Sequence, residues 1–166
     1  LKHVNYLRGD ARQERPQGNL RERPVIKGRI GDIVNSTPVF YGQPDRIRRS
    51  SPPYPTTAGE TYEEFKAFYT APVTGTPRRS MVYVGSNGGF LHGFDSTDGE
   101  EIFAYMPGLA ITGFYSERVK QLLSTNYAHR FTVDLSVAVN DVYMDVDRRA
   151  NTLGADKDCA TVVLRG

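Results

Sequence analysis

Residues 81–106, MVYVGSNGGFLHGFDSTDGEEIFAYM, decide how the rest of this 166-residue chain is read. Met81–Gly85 is rich in β-branched and aromatic residues, and Ser86-Asn87-Gly88-Gly89 is a turn signal. Phe90–Phe94 is a second apolar run, Asp95-Ser96-Thr97-Asp98-Gly99 a second turn, and Glu101–Met106 a third run closed by Pro107. Three strands of about five residues with tight loops make an antiparallel meander. Asn and Gly in the first loop, and Gly99 in the second, supply the positive φ that such turns require. A meander alone cannot bury both faces, so it must stack on a similar unit, as propeller blades do.

Composition sets the limits around this stretch. A chain of this length can bury one proper core, and 39% hydrophobic with 24% charged residues is ordinary for a globular domain. No run of 18 apolar residues offers a membrane span. The formal net charge of +2 is too small to argue for nucleic acid or an anionic membrane as the main partner. Tyr is plentiful at 10 and Trp is absent, which suits aromatic cross-strand pairs or an adhesive surface. The single Cys159 excludes a self-contained disulfide framework and a cysteine-rich zinc site. LKHVNYLRGD carries neither an initiator Met nor a signal-peptide core, and CATVVLRG stops in a strand-like run. Both ends therefore read as internal to a longer chain.

Outward from the meander, Val4–Arg8 reads as the last turn of a helix, with Gly9 where helices stop. Asp10 to Pro24 is polar and aperiodic, which predicts an exposed loop. Gly31–Val39, GDIVNSTPV, leads into a strand through Phe40 and Tyr41. Pro38 lacks a ladder donor and makes it an edge strand, or one that starts at the proline. Gln43 to Gly59, with four prolines and Arg46-Ile47-Arg48-Arg49, reads as a surface insertion. Thr61 and Glu64 form a capping box, and Tyr62, Phe65, Phe68 and Tyr69 recur at helical spacing, so a short helix with a core-facing aromatic stripe is expected. A second short helix is expected near Tyr115–Leu123. Strands are expected at His129–Asp134, Ser136–Met144 and Ala160–Leu164, with a polar insertion at Val146–Lys157.

Several of these phrases carry a family resemblance. The strand, Gly-Gly turn, LHGFD, DSTDG turn and EEIF resemble a blade of the quinoprotein-like β-propellers. GDIVNSTPV, YLRGD and HRFTVDLSVAVNDVYMD narrow the resemblance to the propeller of the PilY1/PilC family of type IV pilus proteins. The chain departs from that family at Leu135, where a Gly is usual, and at Val137, where a Pro is usual. The resemblance implies a mainly β fold: a partial quinoprotein-like β-propeller of antiparallel meander blades, with one or two short helices and long loop insertions. Residues 1–30 would be a lead-in helix end and loop, and residues 31–166 the first blades.

Arg8-Gly9-Asp10 spells the integrin-recognition tripeptide and is the one candidate binding site, although a helix stop with Gly9 in the left-handed region accounts for it locally. Ser86–Gly89 lacks the Lys-Ser/Thr of a phosphate loop, and a hairpin turn fits it better. DSTDGEE lacks calcium-loop spacing, and the pairs Asp145/Asp147 and Asp156/Asp158 lack a third ligand. His3, His92 and His129 never form a close pair, so zinc is not suggested, and His92 should pack at a blade face. No nucleophile motif is present, Glu63-Glu64 and Glu100-Glu101 are wrongly spaced for paired acid/base work, and Arg78-Arg79 reads as a solvated face.

The resemblance thus implies a non-catalytic binding module: a pilus-associated surface or tip adhesin and pilus assembly factor. It implies contact with minor pilins and the pilus tip complex, a host-cell receptor, and an exported location at the cell surface, outer membrane or pilus tip. No metal or cofactor is expected within these residues, while calcium is implied for the full-length protein through a DxDxDGxxD loop downstream. The alternative is a quinone-cofactor (PQQ-type) dehydrogenase propeller, whose repeats share the same phrase. Those repeats close with a Trp where Phe103 stands here.

Overall fold

A computed structural model describes residues 2–24, 29–44, 61–70, 77–112, 116–143 and 159–165. The elements run α1 (Lys2–Leu7), β1 (Val39–Tyr41), α2 (Tyr62–Thr70), β2 (Met81–Gly85), β3 (Leu91–Asp95) and β4 (Glu101–Tyr105). They continue with α3 (Gly108–Ile111), α4 (Ser116–Leu123), β5 (Val137–Tyr143) and β6 (Cys159–Arg165). The fold is mainly β.

The meander forms as expected. Strands β1 to β4 make one antiparallel sheet in chain order, and β5 pairs with β6 in a second. Gly89 and Gly99 close the two turns with φ of 90° and 79°, which an L side chain adopts only with strain. β1 begins directly after Pro38 and lies at the edge of its sheet, so the missing donor costs no ladder bond. One rung runs Val39, Tyr83, Gly93, Phe103. A Cβ on Gly93 would lie 2.4 Å from the Phe103 ring, so the glycine leaves room for that ring to cross towards Tyr83, 6.1 Å away between centroids. Immediately afterwards the register shifts by a bulge between Gly93 and Phe94.

Strand alternation then decides the stacking. Met81, Tyr83 and Leu91 bury one face of the blade against Val133, Val137 and Val139, with Val39 and Tyr41 at the margin. Each fully buried aliphatic side chain contributes about 1.5–3 kcal/mol. A second cluster joins Ala110, Val119 and Leu122 to Leu7, Met106 and Tyr127, fastening α1 to α3 and α4. α2 carries the expected capping box: Thr61 N and Oγ1 donate to Glu64 Oε2, at 3.0 and 2.6 Å, and Glu64 N donates back at 3.3 Å.

Three expectations are corrected. His129–Asp134 is irregular rather than a strand, because its polar groups bond to the Ser86–Asn87 turn instead of a ladder. The 10–24 segment is not a simple exposed loop: Glu14 and Arg23 are buried as a pair, with the Arg23 guanidinium 3.8 Å from the centroid of the buried Tyr6 ring. Of the α2 aromatics, Tyr62 and Phe65 are buried, but Phe68 points to solvent. The Arg46–Arg49 cluster, the Val146–Lys157 insertion and both aspartate pairs within 145–158 lie outside the described residues.

Candidate functional site

The Ser86–Gly89 turn is the meeting point of the three most distinctive phrases of the chain. Asn87 is 1% exposed, and every polar atom of its side chain is engaged. Its Nδ2 donates to Asp32 Oδ2 at 3.0 Å and Asp134 Oδ1 at 3.1 Å, and its Oδ1 accepts from Thr132 N at 3.0 Å. Its backbone N–H donates to the Asp32 carbonyl at 2.9 Å. Asn35 closes the ring from the other side: its backbone N–H reaches Asp134 Oδ1 at 3.2 Å, and its side-chain amide donates to Asp134 Oδ2.

Burial alone would raise the Asp32 carboxyl, but the donors from Asn87 and His129 outweigh it and hold the group below its ordinary value. His129 Nε2 lies 2.8 Å from Asp32 Oδ2. Two glycines allow the approach of the chains. A Cβ on Gly31 would fall 1.9 Å from Gly88 N, and one on Gly85 would fall 2.6 Å from the Val133 carbonyl oxygen. The Gly85 N–H also donates to Ser36 Oγ at 2.8 Å. The buried members, Ser36, Asn87 and Asp134, are thus satisfied, as buried polar groups must be. The cluster is a clamp that locks two remote segments onto the hairpin.

A second arrangement has the outline of a Ser-His-carboxylate relay. Ser86 Oγ lies 2.8 Å from His92 Nε2, and His92 Nδ1 lies 2.5 Å from Glu101 Oε1. The order matches an activated nucleophile. Ser86, however, is 0% exposed, so no acyl group can reach its oxygen. Phe90 and Phe94 flank the imidazole, with ring centroids 5.9 and 5.8 Å away. The relay ties the turn to β3 and β4. His92 is thus at a blade face, as expected, and the role of Glu101 was missed. Hairpin register places His92 opposite Val84, two positions before Ser86, which is the signal that could have found the pair.

Arg78 is not part of a solvated face. Its guanidinium pairs with Asp141 Oδ1 at 2.5 Å, donates from Nε to the Gly42 carbonyl at 2.8 Å and lies over the Tyr41 ring. Tyr62 donates its hydroxyl proton to Asp141 Oδ2 at 3.1 Å. Removal from water, and then the charge of Asp141, push the Tyr41 hydroxyl up. This buried pair joins α2, β1 and β5.

Arg8-Gly9-Asp10 forms the stop of α1. Gly9 has φ 103°, its N–H donates to the Tyr6 carbonyl at 2.9 Å, and the Asp10 N–H donates to the Asn5 carbonyl at 2.9 Å. That pair of bonds is a Schellman motif. Arg12 Nε and Nη2 grip the Asp10 carboxylate at 2.9 and 2.6 Å, and these bonds, with the Arg12 backbone N–H, hold its pKa at about 2. Arg8 itself is exposed. The tripeptide is distant in sequence and chemistry from the clamp.

The described 95–99 turn does not fit calcium. In the 95–99 turn, Asp95 Oδ1 accepts from Thr97 N at 2.8 Å and Asp98 Oδ1 from Glu100 N at 2.9 Å, so the carboxylates fold onto their own backbone. Among the described residues no three His, Cys, Asp or Glu side chains converge as a metal site. No described helix is long and apolar enough to cross a membrane.

Comparison with known proteins matches the description "PilY1 beta-propeller domain" over residues 30–156. A type IV pilus biogenesis factor PilY1 homolog of Xylella fastidiosa is 36% identical over 141 residues, covering 84% of this chain and 10% of the relative. Type IV pilus biogenesis factor PilY1 of Pseudomonas aeruginosa is 38% identical over 143 residues, covering 84% and 11%. A second Xylella homolog is 33% identical over 156 residues, covering 91% and 10%. The chain therefore spans about a tenth of the length of the curated relatives it matches. No solved structure matches.

Proposed function

The chain belongs to the PilY1 β-propeller family, and from that premise we propose that it is a blade-bearing part of a type IV pilus assembly factor. It works by binding, at the cell surface or pilus tip, with minor pilins of the tip complex as its partners. The observation that carries this is the clamp: the three phrases typical of the family meet on Asn87 to hold a blade against its neighbour. A non-catalytic role is supported by the sealing of Ser86, the one nucleophile with a relay among the described residues. The adhesin role rests on Arg8-Gly9-Asp10, whose arginine is exposed while its carboxylate is held by Arg12. Calcium, on this reading, belongs to a loop downstream in the full-length protein.

The test is genetic and uses the full natural chain. Deleting its gene should remove surface pili, and wild type or Ser86→Ala should restore them. Normal piliation in the deletion strain would overturn the assembly role. Failure of a stably folded Ser86→Ala protein would overturn the non-catalytic one. An Asp10→Ala protein that restores pili yet lowers host-cell attachment would support the receptor role, and unchanged attachment would remove it.

A further inference from the structure

The outer edge of the blade has a composition unlike the rest of the chain. Residues 93–117 contain no Lys, Arg or His, in a sequence with 21 Lys and Arg. β4 lies in this stretch as the terminal strand of its sheet, and all five of its residues are exposed. The second sheet packs beside β1 and β2, leaving β4 outermost. Phe103 is 37% exposed and Tyr105 57%, and the chain continues into Leu109 at 72% in α3. At the other end of the strand, Asp95 is answered by Arg79 at 3.5 Å and Glu101 by His92. Asp98 and Glu100 make no ion pair among the described residues.

An edge strand presents a row of free backbone donors and acceptors, and proteins usually guard it with lysine, proline or a bulge on the open side. β4 has neither lysine nor proline, and its bulge, which leaves Ile102 unopposed between Glu101 and Phe103, falls at its start, so Phe103–Tyr105 keep a regular ladder. We propose that β4 is a docking edge that takes an extended segment of a partner protein as a fifth strand. Apolar side chains of that segment pack beside Phe103 and Tyr105, which share one face of the strand, and a Lys or Arg meets Asp98 and Glu100. Main-chain bonds supply affinity and the alternating side chains specificity. The local negative charge repels nucleic acid and anionic lipid. It also disfavours a second copy, since residues 93–117 hold no base to answer the acidic turn. The inference stands apart from the pilus reading, because neither the clamp nor Arg8-Gly9-Asp10 enters it.

The test is fluorescence anisotropy on the full natural chain with a labelled peptide of alternating Val and Lys. Two comparison peptides carry Glu for Lys, or methyl groups on alternate amide nitrogens. The Val/Lys peptide should bind and slow hydrogen exchange at Ile102–Tyr105. Amide methylation, or Tyr105→Lys in the protein, should weaken it about tenfold. The exposed pair Asp98→Asn with Glu100→Gln should weaken it severalfold and flatten its salt dependence, which covers the case where Tyr105→Lys lowers stability. Absence of binding, equal binding of the Glu or methylated peptide, or no effect of the charge pair overturns the proposal. Concentration-dependent dimers that Tyr105→Lys abolishes would overturn it in favour of a second copy.

Discussion

The Ser86–Gly89 turn and the Arg8–Asp10 turn are both short and polar, and each contains a glycine with positive φ. Their polar groups go to opposite places. The partners of Asn87 lie 45 to 55 residues away in sequence, whereas the Asp10 N–H and carboxylate are met by Asn5 and Arg12. The first turn closes its backbone locally, but its Asn87 side chain is satisfied only when remote segments fold around it, and the second is a local closure of a helix. A distinctive sequence phrase can thus mark a joint between remote segments, while a familiar tripeptide closes a helix near solvent.

The sharpest way to break this contrast is Asn87→Asp. It removes a donor shared by Asp32 and Asp134 and sets a third carboxylate, itself buried, between the exposed Asp32 and the buried Asp134. Urea unfolding of the full natural chain should show a loss on the order of 3 kcal/mol. Crowded carboxylates take up protons more readily in the folded state, so the variant should recover stability as pH falls, unlike the parent. A loss of a few tenths would mean that the clamp is not a joint.

Next in size is the pair Gly31→Ala and Gly99→Ala. The first sets a Cβ against the Gly88 backbone and should cost about 2–3 kcal/mol. The second meets no atom within 4 Å and carries only the strain of its φ of 79°, about 1 kcal/mol. Equal costs would show that close approach at the clamp matters no more than turn geometry.

The smallest effect belongs to the exposed turn. Arg12→Ala should return the Asp10 carboxyl from about 2 towards 3.8 in an NMR titration, with the blade's melting unchanged. The sign follows from the depressed value: this contact favours the fold above the ordinary carboxylate range and fades as pH drops to about 2. An unmoved midpoint would mean that another donor holds Asp10.

Most of the blade was legible because its signals are local. Alternating apolar residues placed β2 to β4 within a residue or so, Gly89 and Gly99 placed the turns, and Thr61 with Glu64 placed the start of α2. His129–Asp134 misled for the opposite reason. Its Phe, Thr and Val have strand propensity, but Thr132 bonds to Asn87 and Val133 enters the core without a ladder. Arg78 and Arg23 read as surface cations, yet each finds a buried carboxylate and an aromatic ring.

By itself the sequence determined the meander, its turns, the two predicted short helices and the family, since each rests on residues adjacent along the chain. Only the tertiary structure decided that GDIVNS and HRFTVDLS close on one asparagine, that Ser86 is sealed behind its own relay, and that β4 is left with an open acidic edge. Those facts depend on which segments meet in space. Hydrogen bonds between residues tens of positions apart leave no periodicity to read.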